Sequence, residues 1–185
     1  MYGYVVLPIS AISTNLDNKR KPITSSNRKS GNIPYYGASG IVDYVADYIF
    51  DGNYLLISED GANLLARNTP IAFSICGKNW VNNHAHIIEF DNLIIQKYVE
   101  HYLNSIDLSP YLSNSTMPKL TQQSLNNIEI PVPSFERQKV IAEILDKFDV
   151  IINNLSNGLP AEIKVRQKQY EYYRNKLLTF REKRK

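Results

Sequence analysis

The chain has 185 residues, a formal net charge of +3 and a single cysteine, Cys76. This length suits one globular domain with an appendage, and a lone cysteine excludes an intramolecular disulfide and is typical of a reducing compartment. No apolar run approaches the ~20 residues of a membrane span, and no signal sequence precedes the first predicted strand. We therefore expect a cytoplasmic protein without membrane contact.

Charge is divided unevenly along the chain. Residues 1–133 contain 9 Lys and Arg against 11 Asp and Glu, whereas residues 134–185 contain 12 against 7. A slightly acidic first part argues against indiscriminate binding of polyanions. Five basic residues nevertheless crowd into one polar stretch: Lys19, Arg20, Lys21, Arg28 and Lys29. Such local clustering suits contact with a phosphate backbone, and a solvated charged loop is the alternative interpretation.

The first 133 residues are predicted to be mostly β. A strand is expected at 4–7, followed by an exposed loop at 13–32 that is rich in Ser, Asn, Lys, Gly and Thr. Further strand-like runs occur at 41–48, 54–57, 71–75, 85–90 and 128–130. Turn residues separate them at 51–53, 60–63 and 77–79. A helix is predicted at 93–103, and a short helical turn at 121–126.

The remaining residues predict a helical arm. Apolar residues recur three or four apart at Val140, Ile141, Ile144, Leu145, Phe148, Ile151, Ile152 and Leu155. This spacing predicts a helix over about 134–155, roughly 33 Å long, with Ser134 as its N-cap. Its heptad rows form the a/d seam of a coiled coil, which requires a partner. A second helix is predicted over about 160–184, with Ile163, Tyr170 and Leu177 on one face.

Together these patterns predict an α+β chain. A mostly β globular domain occupies residues 1–133, and a helical spacer and dimerisation arm occupies residues 134–185. The dimer interface is predicted to use one face of both helices, namely Ile141, Ile144, Leu145, Phe148, Ile151, Ile152, Leu155, Ile163, Tyr170 and Leu177.

Four sequence blocks resemble one protein family. The blocks at 33–41, 57–63 and 80–86 are similar to the target-recognition domain of type I restriction-modification specificity subunits. The passage from Met117 through Pro133 into Gln138, Ile141, Ile144 and Leu145 resembles that family's junction between recognition domain and spacer helix. The resemblance covers essentially the whole chain.

This resemblance implies a subunit that recognises a sequence in double-stranded DNA and has no chemistry of its own. It implies docking to methyltransferase subunits and, through them, to the restriction subunits. Family members usually carry two recognition domains and two spacer helices, whereas this sequence shows one of each and no internal repeat. We therefore expect a half-subunit whose two copies pair through antiparallel arms as a homodimer.

The candidate DNA-contacting residues lie in four polar segments. The basic run Lys19, Arg20 and Lys21 is expected to position phosphates. The glycine-flanked segment supplies Tyr35, Tyr36 and Ser39, where the backbone can turn sharply and approach a ligand. A third segment supplies Asn82, Asn83 and His84. The loop at 113–119 supplies Asn114 and Lys119, which suit adenine and guanine or phosphate respectively.

Two other function classes were weighed against DNA recognition. His84 and His86 have strand spacing, so both could face one side and bind a metal in a small DNA-processing enzyme. No third ligand is evident from the sequence, and both are better interpreted as hydrogen-bonding groups. A helical adaptor that binds only protein is the other class. No metal and no cofactor are expected, because methylation, nucleotide-loop and nucleophile-elbow motifs are not found.

Overall fold

The computed structural model describes residues 3–66, 69–158 and 168–169, with side chains up to Ile151 in the long C-terminal helix. The chain divides into two compact units, Met1–Ala142 and Glu143–Lys185. The first unit is mostly β with some helices, as the sequence predicts. Among the described residues, no helix combines the length and the apolar character needed to cross a membrane.

Eight strands and four helices are described. The strands are β1 (Val5–Pro8), β2 (Thr14–Asn15), β3 (Ser30–Gly37), β4 (Gly40–Val45), β5 (Phe50–Ser58), β6 (Ala72–Val81), β7 (Ala85–Glu89) and β8 (Glu129–Val132). The helices are α1 (Gly61–Ala66), α2 (Leu93–Ser105), α3 (Gln122–Asn126) and α4 (Phe135–Gly158). Short 3-10 turns, including one at Asp17–Lys19, lie between them.

The main sheet has the strand order β2-β7-β5-β6-β3-β4. Its central strand β5 pairs antiparallel with both β6 and β7, while β3 runs parallel to β6. A separate antiparallel pair joins β1 to β8. Strand β5 is buried on both faces, because Leu55 and Ile57 enter one apolar cluster and Tyr54 and Leu56 enter the other. This two-residue alternation explains why the sequence shows a continuous apolar run there.

The main differences from the predicted elements arise from strand pairing. Strand β6 continues through the turn predicted at 77–79, and β5 includes the turn predicted at 51–53, because Gly52 and Gly77 face each other in the antiparallel ladder. Gly77 has a φ of +72°, which a glycine adopts without a Cβ clash. The turn predicted at 60–63 instead begins helix α1.

Helix α4 begins directly after Ser134, as predicted, and its first turns are part of the first unit. Gln138 and Ala142 are each 4% exposed, and Ile141 packs against the core cluster that contains Val99 and Leu103. Ile141 therefore packs in part against the core of its own domain, and its place in the dimer seam stays a prediction. The first compact unit ends at Ala142, inside α4.

The described part of the second unit carries a row of exposed apolar side chains. These are Ile144, Leu145, Phe148 and Ile151, which are 37–56% exposed. Five predicted interface side chains lie outside the described side chains: Ile152, Leu155, Ile163, Tyr170 and Leu177. The predicted second helix also lies outside the described residues, apart from the helical residues 168–169.

Candidate nucleic-acid interface

The candidate interface is built where strand β5 ends and strand β7 begins. Pairing of Ser58 with Ala85 places the residues after β5 beside those before β7. The Glu59 N–H donates to the carbonyl of His84 at 2.9 Å, and the Leu120 N–H donates to the carbonyl of Glu59 at 3.0 Å. Three segments that are distant in sequence therefore meet around Glu59.

Glu59 is the acceptor of two basic side chains that were both predicted to contact DNA. One carboxylate oxygen lies 3.1 Å from Nη1 of Arg20, and the other lies 3.3 Å from Nζ of Lys119. The same Arg20 nitrogen donates to the carbonyl of Ala85 at 2.7 Å. Because the Arg20 side chain is only 13% exposed, it stabilises the interior, and we leave it out of the proposed phosphate contacts.

Asp17 and His86 form a second, fully buried part of this arrangement. His86 is 1% exposed, and its Nδ1 lies 2.5 Å from Oδ2 of Asp17. Its Nε2 lies 2.7 Å from the carbonyl oxygen of Leu120. Asp17 also accepts from the N–H of Ile87 at 3.0 Å and lies 3.3 Å from Nε of Arg20. Each polar atom here has a partner, as buried polar groups require.

These contacts set the charge of Asp17. Burial alone would raise the pKa of the Asp17 carboxyl. The hydrogen bond and charge of His86, the N–H of Ile87 and the charge of Arg20 together outweigh burial and hold this pKa below its ordinary value. Asp17 is therefore a carboxylate at neutral pH.

His84 behaves differently from His86, which corrects the prediction that both face one side. His84 lies in the turn before β7, and its side chain is 50% exposed. Its Nδ1 lies 3.1 Å from Oδ2 of Asp60, whose carboxylate orients the ring. Both nitrogens of His86 are occupied internally, so the two histidines do not form a shared metal site.

The glycine-flanked segment forms the β3–β4 hairpin. Ser39 is exposed at the hairpin turn, and its Oγ accepts a 2.8 Å hydrogen bond from Nδ2 of Asn63 in α1. Helix α1 is held in turn by the Gly61 N–H, which donates to the carbonyl of Pro118 at 2.9 Å. A Cβ on residue 61 would lie 2.3 Å from that carbonyl oxygen, so the contact requires glycine. The hairpin, α1 and the 113–119 loop are thereby joined.

The two adjacent tyrosines occupy different environments. Tyr35 is 1% exposed, its hydroxyl accepts from the N–H of Ile23 at 3.0 Å, and Arg28 lies over its ring at 4.3 Å. Tyr35 is therefore a core residue that anchors the basic loop, rather than a surface contact. Tyr36 is half-buried, and burial, with smaller contributions from Cys76 and Tyr44, raises the pKa of its hydroxyl.

The remaining candidate residues differ in how far they are exposed to solvent. Lys19, Lys21, Asn83 and Asn114 are exposed. The Lys21 carbonyl accepts from Nε1 of Trp80 at 2.6 Å, which fixes the backbone of the basic run. Asn82 is buried, and its Oδ1 accepts from the N–H of His84 at 2.8 Å. Lys119 is half-buried, with 42% of its side chain exposed.

Sequence reasoning missed the acidic residues of this edge. Asp17, Glu59 and Asp60 were given no role, although two of them follow a buried strand directly. Asn63 was also missed, although it lies in one of the blocks that resemble the specificity subunits. An acidic pair directly after an apolar strand is the signal that could have marked Glu59 and Asp60 as candidates, although the sequence does not show their partners.

Known proteins resemble this chain in sequence and in fold. A family profile described as the type I restriction modification DNA specificity domain matches residues 7–165. A putative type I restriction enzyme specificity subunit of Haemophilus influenzae is 40% identical over 179 residues, which cover 95% of this chain and 46% of that protein. This chain therefore spans about half the length of that relative.

Solved structures share the fold. A type I restriction-modification S subunit from M. genitalium has a TM-score of 0.65 at 19% identity, covering 89% of this chain and 44% of that one. A chain from a study of complex assembly and conformational transition of the type I system has a TM-score of 0.64 at 16% identity, covering 91% and 44%. The fold, the profile and the relative agree, and the chain belongs to the family of type I restriction-modification DNA specificity domains.

Proposed function

We propose that this chain is the DNA-recognition subunit of a type I restriction-modification complex. It binds double-stranded DNA in the cytoplasm and performs no chemistry itself. It acts as a homodimer that reads an interrupted palindrome and docks methyltransferase subunits, and through them restriction subunits.

The observation that carries this proposal is the convergence of five separate segments at one edge of the sheet. Residues 17–21, 39, 59–63, 82–84 and 113–120 are joined there by hydrogen bonds and ion pairs. Loops held by a rigid sheet are where proteins place recognition residues. The edge presents amides, lysines and a histidine, which are groups that hydrogen-bond to phosphates and base edges.

The proposed contacts divide into two kinds. Lys19 and Lys21 are exposed ammonium groups that pair with phosphates and set the position of the duplex. Asn83, His84 and Asn114 are the proposed base-reading or backbone-reading groups. With Nδ1 of His84 held by the Asp60 carboxylate, Nε2 is the ring nitrogen left to contact DNA, and in the neutral ring this nitrogen accepts a hydrogen bond.

An exposed apolar row on α4 supports the paired assembly. Ile144, Phe148 and Ile151 are each about half exposed, and a row of this kind is covered when a second helix packs along it. The similar chain named for complex assembly supports docking to other subunits of a type I system. Two copies related by a two-fold axis would present identical, inverted reading surfaces.

A metal-dependent enzyme is not supported by the geometry. It required His84 and His86 on one surface, whereas His84 is half exposed and His86 is buried with both nitrogens engaged. We therefore retain DNA recognition without catalysis as the proposed function.

Fluorescence anisotropy with labelled duplexes tests the proposal. The pure chain is expected to bind DNA with an affinity that falls steeply between about 50 and 200 mM salt, as counterion release requires. If the chain showed no binding to double-stranded DNA at about 50 mM salt, the proposed function would be contradicted.

A further inference from the structure

We propose that His86 is a positioning residue that fixes the separation of two DNA-facing segments, 15–21 and 113–121, and thereby the sequence discrimination of the interface. This inference rests on the proposed function. It concerns a buried side chain that cannot touch DNA and acts through the loops on either side of it.

The imidazole ring of His86 bridges two segments of the chain. His86 lies on β7, and each of its nitrogens reaches a different segment: Nδ1 reaches Asp17, and Nε2 reaches the carbonyl of Leu120. These partners are 69 and 34 residues away in sequence. One side chain thus connects segments 15–21 and 113–121. Because its ring is planar and rigid, the distance between its two nitrogens is fixed.

The hydrogen bonds and ion pairs around His86 form a closed loop. Leu120 donates its N–H to the carbonyl of Glu59, the Glu59 carboxylate pairs with Arg20, and Arg20 pairs with Asp17. Asp17 returns to His86. A closed loop of contacts resists displacement of any one segment, because moving it breaks contacts on both sides.

The groups around the His86 ring are complementary in hydrogen bonding and in charge. Two acceptors face the two ring nitrogens, so the arrangement is satisfied when each nitrogen carries a proton and donates. Charges also alternate along Asp17, Arg20, Glu59 and Lys119, next to the ring of His86. Each buried charge has an opposite neighbour, which removes the penalty of an unpaired buried ion.

Proposed DNA-contacting side chains adjoin the buried network of His86, Asp17, Arg20 and Glu59. The exposed Lys19 and Lys21 flank Arg20, and Asn114 lies in the loop that ends at Lys119 and Leu120. Base-reading groups must be held to about 0.5 Å of their productive geometry. A change at His86 therefore shifts groups that contact DNA without removing any of them.

The experiment compares discrimination rather than binding alone. The probes are a duplex carrying the motif found by methylation mapping and a duplex of the same length with that motif scrambled. His86→Gln is expected to weaken binding to the motif duplex about tenfold, comparable to one mismatched base pair, while binding to the scrambled duplex stays within about twofold.

Two further variants separate positioning from general destabilisation. Glu59→Gln alters a less buried member of the network and should also reduce discrimination between the motif duplex and the scrambled duplex. This variant tests the positioning role if His86→Gln does not fold. Gln96→Ala is the matched control, because Gln96 is 2% exposed and bonds Tyr54 and Ser74 on another part of the sheet. It should lower the Tm and leave discrimination unchanged.

The ring nitrogens provide a spectroscopic measurement. In ¹⁵N NMR of the folded wild-type chain, Nδ1 of His86 should resonate as protonated, because it faces the carboxylate of Asp17. Retained discrimination in folded His86→Gln and Glu59→Gln, equal loss in Gln96→Ala, or an unprotonated Nδ1 would each overturn the positioning role. If the wild type itself fails to distinguish the two duplexes, the proposed function fails instead.

Discussion

Arg20 and Glu59 form an ion pair at 3.1 Å although 39 residues separate them in sequence. Their side chains are 13% and 17% exposed, whereas the neighbours Lys19 and Lys21 lie on the surface. A basic run that looks uniform in sequence therefore contains one structural and two surface cations.

Lys19→Ala combined with Lys21→Ala should weaken binding to all DNA sequences and leave the Tm unchanged. Loss of two phosphate contacts should reduce the slope of log affinity against log salt by about 2, measured by anisotropy. Arg20→Ala is the contrasting variant, since it leaves Glu59 with one fewer cation. It should lower the free energy of unfolding by roughly 2–4 kcal/mol in urea titrations. If Arg20→Ala were as stable as the wild type and the double lysine variant were destabilised, the division into one structural and two surface cations would be contradicted.

Acid stability should depend on Asp17. Because its folded pKa lies below its unfolded value of about 3.9, Asp17 contributes stability that is present above that pH and is lost as pH falls through the folded pKa. Urea unfolding from pH 7 to pH 3 should therefore show a steeper loss below about pH 4 in the wild type than in Asp17→Asn. If the free energy of unfolding fell equally with pH in both proteins, the pKa of the Asp17 carboxyl would not be lowered by folding.

His84 and Asp60 should act as one unit in DNA binding. His84→Ala and Asp60→Asn should each weaken binding to the motif duplex by about three- to tenfold, and the double variant should be no worse than His84→Ala, since Asp60 acts by orienting the ring. Both side chains are partly exposed, so the Tm should change little. Strict additivity of the two effects in anisotropy titrations would count against this coupling.

Phe148→Asp should convert the proposed homodimer into monomers in sedimentation velocity experiments. Phe148 is 56% exposed in a row with Ile144 and Ile151, and a charge there cannot be buried against a second helix. Lys147→Asp, at a neighbouring exposed polar position, is the matched control and should remain dimeric. A wild-type chain that sediments as a monomer at tens of micromolar would contradict the paired arrangement.

Elements with strong local periodicity were predictable from sequence. Helix α2 was expected at 93–103 and extends over Leu93–Ser105, and β7 was expected at 85–90 and extends over Ala85–Glu89. Turn residues were misleading where strands pair over a long distance, as at Gly77, because the ladder with β5 overrides the local turn preference.

The polar network was beyond local reasoning. The segments containing the basic loop, His84 and Lys119 were all predicted as candidates, and the structure brings them to one edge. Their individual directions depend on partners far along the chain: Arg20 on Glu59, His86 on Asp17 and Leu120, and Ile141 on its own core. Spacing within a segment contains no information about such partners.

We propose that two copies of this chain read one DNA site as a symmetric pair. The most direct measurement is a genome-wide methylation map in cells that express the chain with its methyltransferase. We expect an interrupted palindrome, with two identical inverted half-sites and an unread spacer of one fixed length, because the two reading surfaces of a symmetric pair would be related by a two-fold axis. An asymmetric bipartite site, or a single uninterrupted site, would contradict it.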